Sequence, residues 1–312
     1  MVRGLLPVLR ESGSGGLARA VPVLLRGEGP PVLVDPMAPD DIVYRKWIRR
    51  YEASAARGRS QLAGADAIAI TVAMVVDGAT DAQVARAIAS VTHQAHAKWT
   101  LILVTGGMRA SAVRGAAQDA RIAWHEGSLT SALAGATTPW VALLDTRDAL
   151  APNALRRVAA ALAAAPAARL VYTDEDRIDA LGQRSAGWFK PDWNLDLLRS
   201  QDFMSRLAVF DASLVREVGG LHAELGDAAP YDLVLRCIER LVPAQIVHVP
   251  EVLYHRHLAS ATPDGRVDAA CGAPNRGEEA LHAHLARCGA AAEVQRGLFG
   301  FKVRYALPAP PR

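Results

Sequence analysis

Aromatic residues are scarce in this chain, 5% of 312 residues, so its core has to be built from aliphatic side chains and alanine within an ordinary apolar share of 51%. Cysteine is nearly absent. Cys237, Cys271 and Cys288 stand far apart without metal-ligand spacing, which excludes a disulfide framework and a cysteine zinc site and leaves reduced thiols. Charge of one sign is also lacking: a net +3 gives no case for nucleic acid as a partner. No apolar run approaches the roughly 18 residues that span a bilayer. The first residues, MVRGLLPVLRESGSGG, have an apolar core too short for a signal peptide and broken by Pro7. These absences describe a globular protein of the cytoplasm, long enough for one large domain or two small ones.

Residues 1–39 alternate Gly/Pro-rich pieces with short apolar runs and are expected to form an arm with one or two strands. From Asp40, DDIVYRKWIRRYEAS predicts a helix with Val43, Trp47 and Tyr51 along one side and Arg45, Lys46, Arg49 and Arg50 on the other. Two readings stand for it: a helix docked on the main domain with a solvated basic face, or a helix lying on a membrane surface. This helix and a polar linker make up residues 40–66. The run AIAITVAMVV (67–76) suits a strand buried on both faces. A helix follows, opened by Thr80 and Gln83 at capping-box spacing. WTLILV, RIAW and PWVALLD read as further strands. SLTSALAGA and APNALRRVAAALAAAP read as helices, and ARLVYTDED as a strand ending in acids. This alternation predicts an α/β fold with a mainly parallel sheet covered by helices on both faces, its ligands beyond the carboxyl ends of the strands. After the loop-like WFKPDWNLDLLRSQDF come a helix capped by Asp211 and stopped by Gly219-Gly220, the helix PYDLVLRCIERL, and IVHVPEVLYHRH as one or two strands. A last helix and short strands complete a C-terminal extension over 266–312.

At VALLDTRDAL (141–150) a strand runs out into Asp145, Thr146, Arg147 and Asp148. Two carboxylates one residue apart would suit a divalent cation and a phosphate ligand. Arg147 stands where the second would be.

The order of YRKWIRRYE, VALLD with DAL, LVYTDEDRID, WFKPDWNLDLLRSQDF, LAVFDASLVREVGG, YDLVLRCIER and IVHVPEVLYHRH resembles the nucleotide-sugar glycosyltransferases of family two, of the GT-A fold. The resemblance covers about residues 42–312, with the GT-A domain itself at 67–265, and is nearest to enzymes of bacterial surface-polysaccharide assembly. KVRYALPAPP is similar to the junction before a second such domain in tandem members. The resemblance implies a nucleotide-sugar donor, a glycan or lipid-linked glycan acceptor, a partner glycosyltransferase, and peripheral contact with the inner membrane. It also implies a D-x-D pair holding Mn²⁺ or Mg²⁺ against the leaving diphosphate, a carboxylate base just before Tyr-Asp-Leu, and a late histidine on the metal.

This chain departs from that pattern. Asp77 and Gly78 replace the usual end of strand one, and Thr105 and Gly106 replace the acids after strand two. The segment between WHEG and SALAGA is short, Arg147 replaces the second metal carboxylate, and Pro230 replaces the base. The residues that remain are assigned by the resemblance: Asp77, Asp145 and Arg147 to the nucleotide, Asp145 and His255 to a metal, and Asp227 or Asp232 to proton transfer. Asp174, Glu175, Asp176, Lys190 and Trp193 go to the acceptor. Each has a plainer reading. Asp148 is expected to cap the helix after the strand, Asp232 to be a cap or dipole partner, and His255 to be a hydrogen-bonded structural residue. The Asp174-Glu175-Asp176 cluster either meets an acceptor or is solvated. The expectation is a glycosyltransferase-like protein with impaired or lost metal-dependent transfer, acting as a glycan-binding or scaffold domain. No cofactor is expected, and Mn²⁺ or Mg²⁺ only if the altered pair still binds it. The alternative is metal-independent transfer, with Arg147 holding the donor diphosphate bidentately. In either case an ion pair between Arg147 and Asp145 is expected.

Overall fold

The computed structural model describes residues 41–52, 64–107, 119–179, 182–257, 276–297 and 300–306. The expectations for the N-terminal arm, most of the linker, Cys271 and the tail after Ala306 lie outside these residues. A short helix α1 (Asp41–Trp47) opens the described chain and continues as a π-helical turn, Ile48–Glu52. Strand β1 (Ile70–Val75) is almost wholly buried. The helix α2 (Asp81–Thr92) then starts at a capping box formed by Thr80 and Gln83, and buries Val84, Ile88 and Val91 at helical spacing.

Strands β2 (Trp99–Thr105) and β3 (Ile122–Glu126), helix α3 (Leu129–Ala134) and strand β4 (Trp140–Leu143) follow. The order β3-β2-β1-β4 is parallel throughout. Beyond β4 the sheet changes character. Strand β5 (Ala149–Leu150) is short and helix α4 (Ala154–Ala164) covers the sheet. Strand β6 (Leu170–Ile178) pairs in antiparallel fashion with β7 (Arg184–Trp188). After helix α5 (Leu195–Ser200) comes β8 (Ala208–Asp211), which runs antiparallel between β4 and β6.

Asp211 caps α6 (Ala212–Glu217) by accepting from the backbone of Ser213 and Leu214, and Gly219 and Gly220 end that helix with φ of 86° and 76°. Helix α7 (Ala229–Ile238) leads to β9 (Ile246–His257), one continuous strand through Pro250 that pairs parallel with β6 and antiparallel with β5. Helix α8 (Arg276–Arg287) and a hairpin of β10 (Ala292–Arg296) and β11 (Phe301–Tyr305) complete the described chain.

Two apolar cores flank the sheet. One packs α2 and α4 on one face, and the other packs α5, α6, α7 and α8 on the opposite face. This is the two-sided α/β architecture that the alternation predicts, with the antiparallel strands β5, β7 and β8 in its second half.

Candidate functional site

The carboxyl end of β4 carries the loop Leu144–Asp148, where the backbone N–H of Asp148 turns back to the carbonyl of Asp145 at 2.9 Å. Asp145 is gripped at this mouth. Arg147 donates Nε to Oδ1 at 3.0 Å and Nη2 to Oδ2 at 2.7 Å, and its backbone N–H also reaches Oδ1 at 2.9 Å. The expected ion pair is therefore present, in the planar two-bond geometry a guanidinium favours. A second cation was not legible in the sequence. Arg206 Nη1 lies 3.5 Å from Asp145 Oδ2 and 3.6 Å from Asp148 Oδ2.

Burial alone would raise the Asp145 carboxyl, but the Arg147 hydrogen bonds and the nearby Arg206 charge outweigh it and hold the group at about 2. Hydrogen bonding to Asp145 raises Arg147 above its ordinary value, with Asp148 and Asp227 contributing to the field on it. Two arginines thus hold the Asp145 carboxylate at the end of β4.

Arg206 arrives here because β8 is antiparallel. The entry to β8 sits beside the exit of β4, so a residue just before Ala208 faces Asp145. The next residue, Leu207, is in the left-handed region at φ 44°, a conformation costing about 1–3 kcal/mol for such a side chain. The carbonyl of Arg206 accepts from the buried Lys190 Nζ at 3.3 Å, and the same ammonium lies 2.9 Å from Glu175 Oε2.

Asp148 is not the helix cap. The residue before α4 is Asn153, and Asp148 is buried, accepting from Tyr254 Oη at 2.7 Å and from the backbone of His257 at 2.9 Å. Burial raises its pKa, with Arg206 opposing the shift. A side chain six residues before a helix serves β9 instead of the helix because β5 pairs with β9.

The acids of β6 are neither solvated nor at a strand end. They lie within the strand, and all three are buried. Asp174 Oδ1 accepts from the Lys190 backbone at 2.9 Å and approaches His248 Nε2 at 2.9 Å. Glu175 holds Lys190, with Arg256 at 3.6 Å. Asp176 accepts from Tyr44 Oη at 2.8 Å and from Arg184 Nε at 2.5 Å, and faces His255 Nδ1 at 2.6 Å. Lys190 is buried with them, and Trp193 is partly buried against the second core. The charges of Asp174, Glu175, Asp176 and Lys190, the residues expected at the acceptor, are paired inside the protein, where unpaired they would be expensive.

His255 is the buried, hydrogen-bonded residue of its plainer reading. Among the described residues neither it nor Asp145 joins a group of three metal-ligating side chains; the group that does form is Glu239, His284 and Cys288, between α7 and α8. Arg287 already grips Glu239 there through both carboxylate oxygens, and Arg199 donates to His284 Nε2 at 3.2 Å, so two cations oppose a metal.

Of the two candidate bases, Asp232 is buried in the first turn of α7 and bound to Arg236 at 2.7 Å and His222 at 3.0 Å. Asp227 is exposed in the turn Ala223–Ala228 before α7, on the side whose field reaches Arg147. Pro230 occupies the first turn of α7. Asp77 is exposed and accepts from Thr105 Oγ1 at 3.0 Å and from the backbone of Gly106, so the ends of β1 and β2 are tied to each other. A cavity of about 280 Å³ lies elsewhere, lined by Leu197, Ser200 and Gln201 of the α5 end and by the β10–β11 hairpin, and contains none of these residues.

Two kinds of comparison bear on this geometry. The O-antigen biosynthesis protein RfbC of Myxococcus xanthus is 37% identical over 257 residues, which is 78% of this chain and 20% of that protein. The uncharacterized protein y4gI of Sinorhizobium fredii (strain NBRC 101917 / NGR234) is 38% identical over 253 residues, 77% of this chain and 28% of its own length. The chain thus spans between a fifth and a third of the length of these relatives. Among solved structures, S. aureus TarS residues 1–349 in complex with UDP-GlcNAc matches with a TM-score of 0.53 at 11% identity, covering 70% of this chain and 66% of that one. The crystal structure of S. aureus TarS matches at 0.51 and 12%, over 70% of this chain and 39% of its own. At such identity the likeness is one of fold, the GT-A-like glycosyltransferase fold. No family model matches the chain.

Proposed function

We propose that this chain, with a GT-A-like fold and a relative named for O-antigen biosynthesis, is a glycosyltransferase-like domain of surface-polysaccharide assembly that has lost metal-dependent sugar transfer and serves as a scaffold for a partner enzyme. The observation that carries the reading is the saturation of Asp145 by Arg147 and Arg206. A divalent ion approaching Asp145 would meet two guanidinium groups already bound to the carboxylate it needs, and Coulomb repulsion adds to the cost of displacing them. Pro230 at the position of the base supports the same conclusion, because proline has no group that accepts a proton, and Asp232 is committed to Arg236. Loss of a general base alone typically removes about 10²–10⁴-fold in rate.

The test is release of nucleoside diphosphate from a panel of UDP-, GDP- and dTDP-sugars with Mn²⁺, with and without a lipid-linked glycan acceptor. The expected result is no release above the uncatalysed rate. Mn²⁺-dependent release would overturn the reading.

A second reading has its own support. Arg147 is about half exposed, at 48% of its side chain, and its Nη1 is not used in holding Asp145. A guanidinium so placed could stabilise a leaving diphosphate in place of a metal, with the exposed Asp227 as base. In that case nucleotide release would proceed unchanged in EDTA.

A further inference from the structure

We infer that α1 and its π-helical extension, together with Phe189, form a docking surface for an anionic lipid bilayer. The side of this helix that holds it to the domain is well defined. Tyr44 is 1% exposed, bonds Asp176 and closes over Gly187, while Glu52 binds Arg184 at 2.6 and 2.7 Å. Trp47, partly buried, stacks on Tyr44 at 5.8 Å between ring centroids and joins this side.

Val43 and Tyr51 remain at the surface, on either side of Trp47. Val43, Trp47 and Tyr51 recur every four positions, and the wider π turn over Ile48–Glu52 offsets the drift that an α-helix would give to that spacing. Trp47 lies 5.7 Å from Tyr51 and 4.6 Å from Phe189, centroid to centroid. Val43 is 58%, Tyr51 50% and Phe189 45% exposed, and these are half of the large apolar side chains standing exposed among the described residues. A helix docked for stability alone turns such side chains inward.

Lys46, Arg49 and Arg50 are exposed alongside this ridge, with the Arg50 guanidinium 5.7 Å from the Tyr51 ring centroid. The acid of the same turn, Glu52, is already committed to Arg184, so it does not offset them. Aromatic rings flanked by long cationic stems match the two layers of a lipid interface: rings at the acyl boundary, cations among anionic headgroups. An acidic protein would satisfy the cations but not call for an unbroken aromatic and aliphatic ridge, so a bilayer is the occupant the surface fits. This surface is independent of whether the domain transfers sugar.

The experiment is co-sedimentation of the full 312-residue chain with vesicles of phosphatidylcholine alone and with about a third phosphatidylglycerol. Binding is expected only to the anionic vesicles, weakening as salt rises. Lys46→Glu with Arg50→Glu should lower partitioning by at least about 25-fold, about fivefold for each cation removed. Val43→Ser with Phe189→Ser should lower it by about tenfold or more. Circular dichroism establishes that both variants are folded, and Tyr44, which holds the helix, is left intact in each. Failure of the parent chain to bind anionic vesicles would overturn the proposal. Parent-like binding by either folded variant would do so as well, since the surface requires both the charges and the ridge. Capture by a soluble acidic protein in preference to the vesicles would likewise contradict it.

Discussion

Arg206 stands 3.5 Å from Asp145 because β8 runs against β4, and this contact places a second guanidinium on a carboxylate that Arg147 already holds through both oxygens. In the proposed reading, covalently attached cations stand here in place of a bound one. The charge is permanent and its position is fixed by backbone, whereas a metal would come and go with its ligand.

The exchange can be reversed in part. Arg147→Asp combined with Arg206→Ala would restore a carboxylate pair and remove both competing cations. Titration followed by the free-Mn²⁺ spin-resonance signal should show no binding to the parent and binding at least about tenfold tighter in the double variant. Arg147→Asp alone should give a smaller gain, because Arg206 remains beside Asp145.

Acid should loosen this loop in a defined window. The Asp145 pKa is depressed, so its contribution is complete above the unfolded value of about 3.9 and drains away as pH falls toward about 2. With Arg147 half exposed, solvent screening reduces the contribution to about 1 kcal/mol. Urea denaturation at pH 5 and pH 2.5 should therefore show a loss in the parent that is smaller in Asp145→Asn by about that amount.

The network beneath Arg206 predicts strong coupling. Lys190 and Glu175 have almost fully buried side chains, and removal of Lys190 leaves Glu175 with only the more distant Arg256 at 3.6 Å. Lys190→Met alone is expected to cost about 3–5 kcal/mol by chemical denaturation, and Lys190→Met with Glu175→Leu substantially less. Additive losses would show that the two side chains do not act as a pair.

One residue along β6, at Asp176, Tyr44 joins the first described helix to the sheet. Tyr44→Ala should cost about 3–5 kcal/mol through the lost ring. Gly187→Ala should cost about 1–3 kcal/mol, because a Cβ there would overlap that ring. Both are measurable by urea denaturation, and proteolysis near Glu52 should accelerate in each.

The sequence revealed the frame better than the site. Apolar runs and caps locate β1, β2, β4, α2 and α6, since period and capping chemistry are local. The ion pair between Asp145 and Arg147 was legible for the same reason, two residues apart on one turn. Arg206 was not, because its place depends on an antiparallel strand that a mainly parallel reading sends to the opposite edge. The acids of β6 misled for a related reason. Asp174, Glu175 and Asp176 look like a strand terminus until β7 and β9 extend the strand past them on both sides. Their partners, Tyr44, Lys190, His248 and His255, come from segments distant in the chain, and no local pattern announces them.

The most direct test is calorimetric titration of the full chain with UDP in Mn²⁺ and again in EDTA. The account predicts no metal-dependent binding: the two titrations should coincide, whether flat or showing weak binding through Arg147. Tighter binding in Mn²⁺ than in EDTA, lost in Asp145→Asn, would show that Asp145 still holds a cation and would contradict the account.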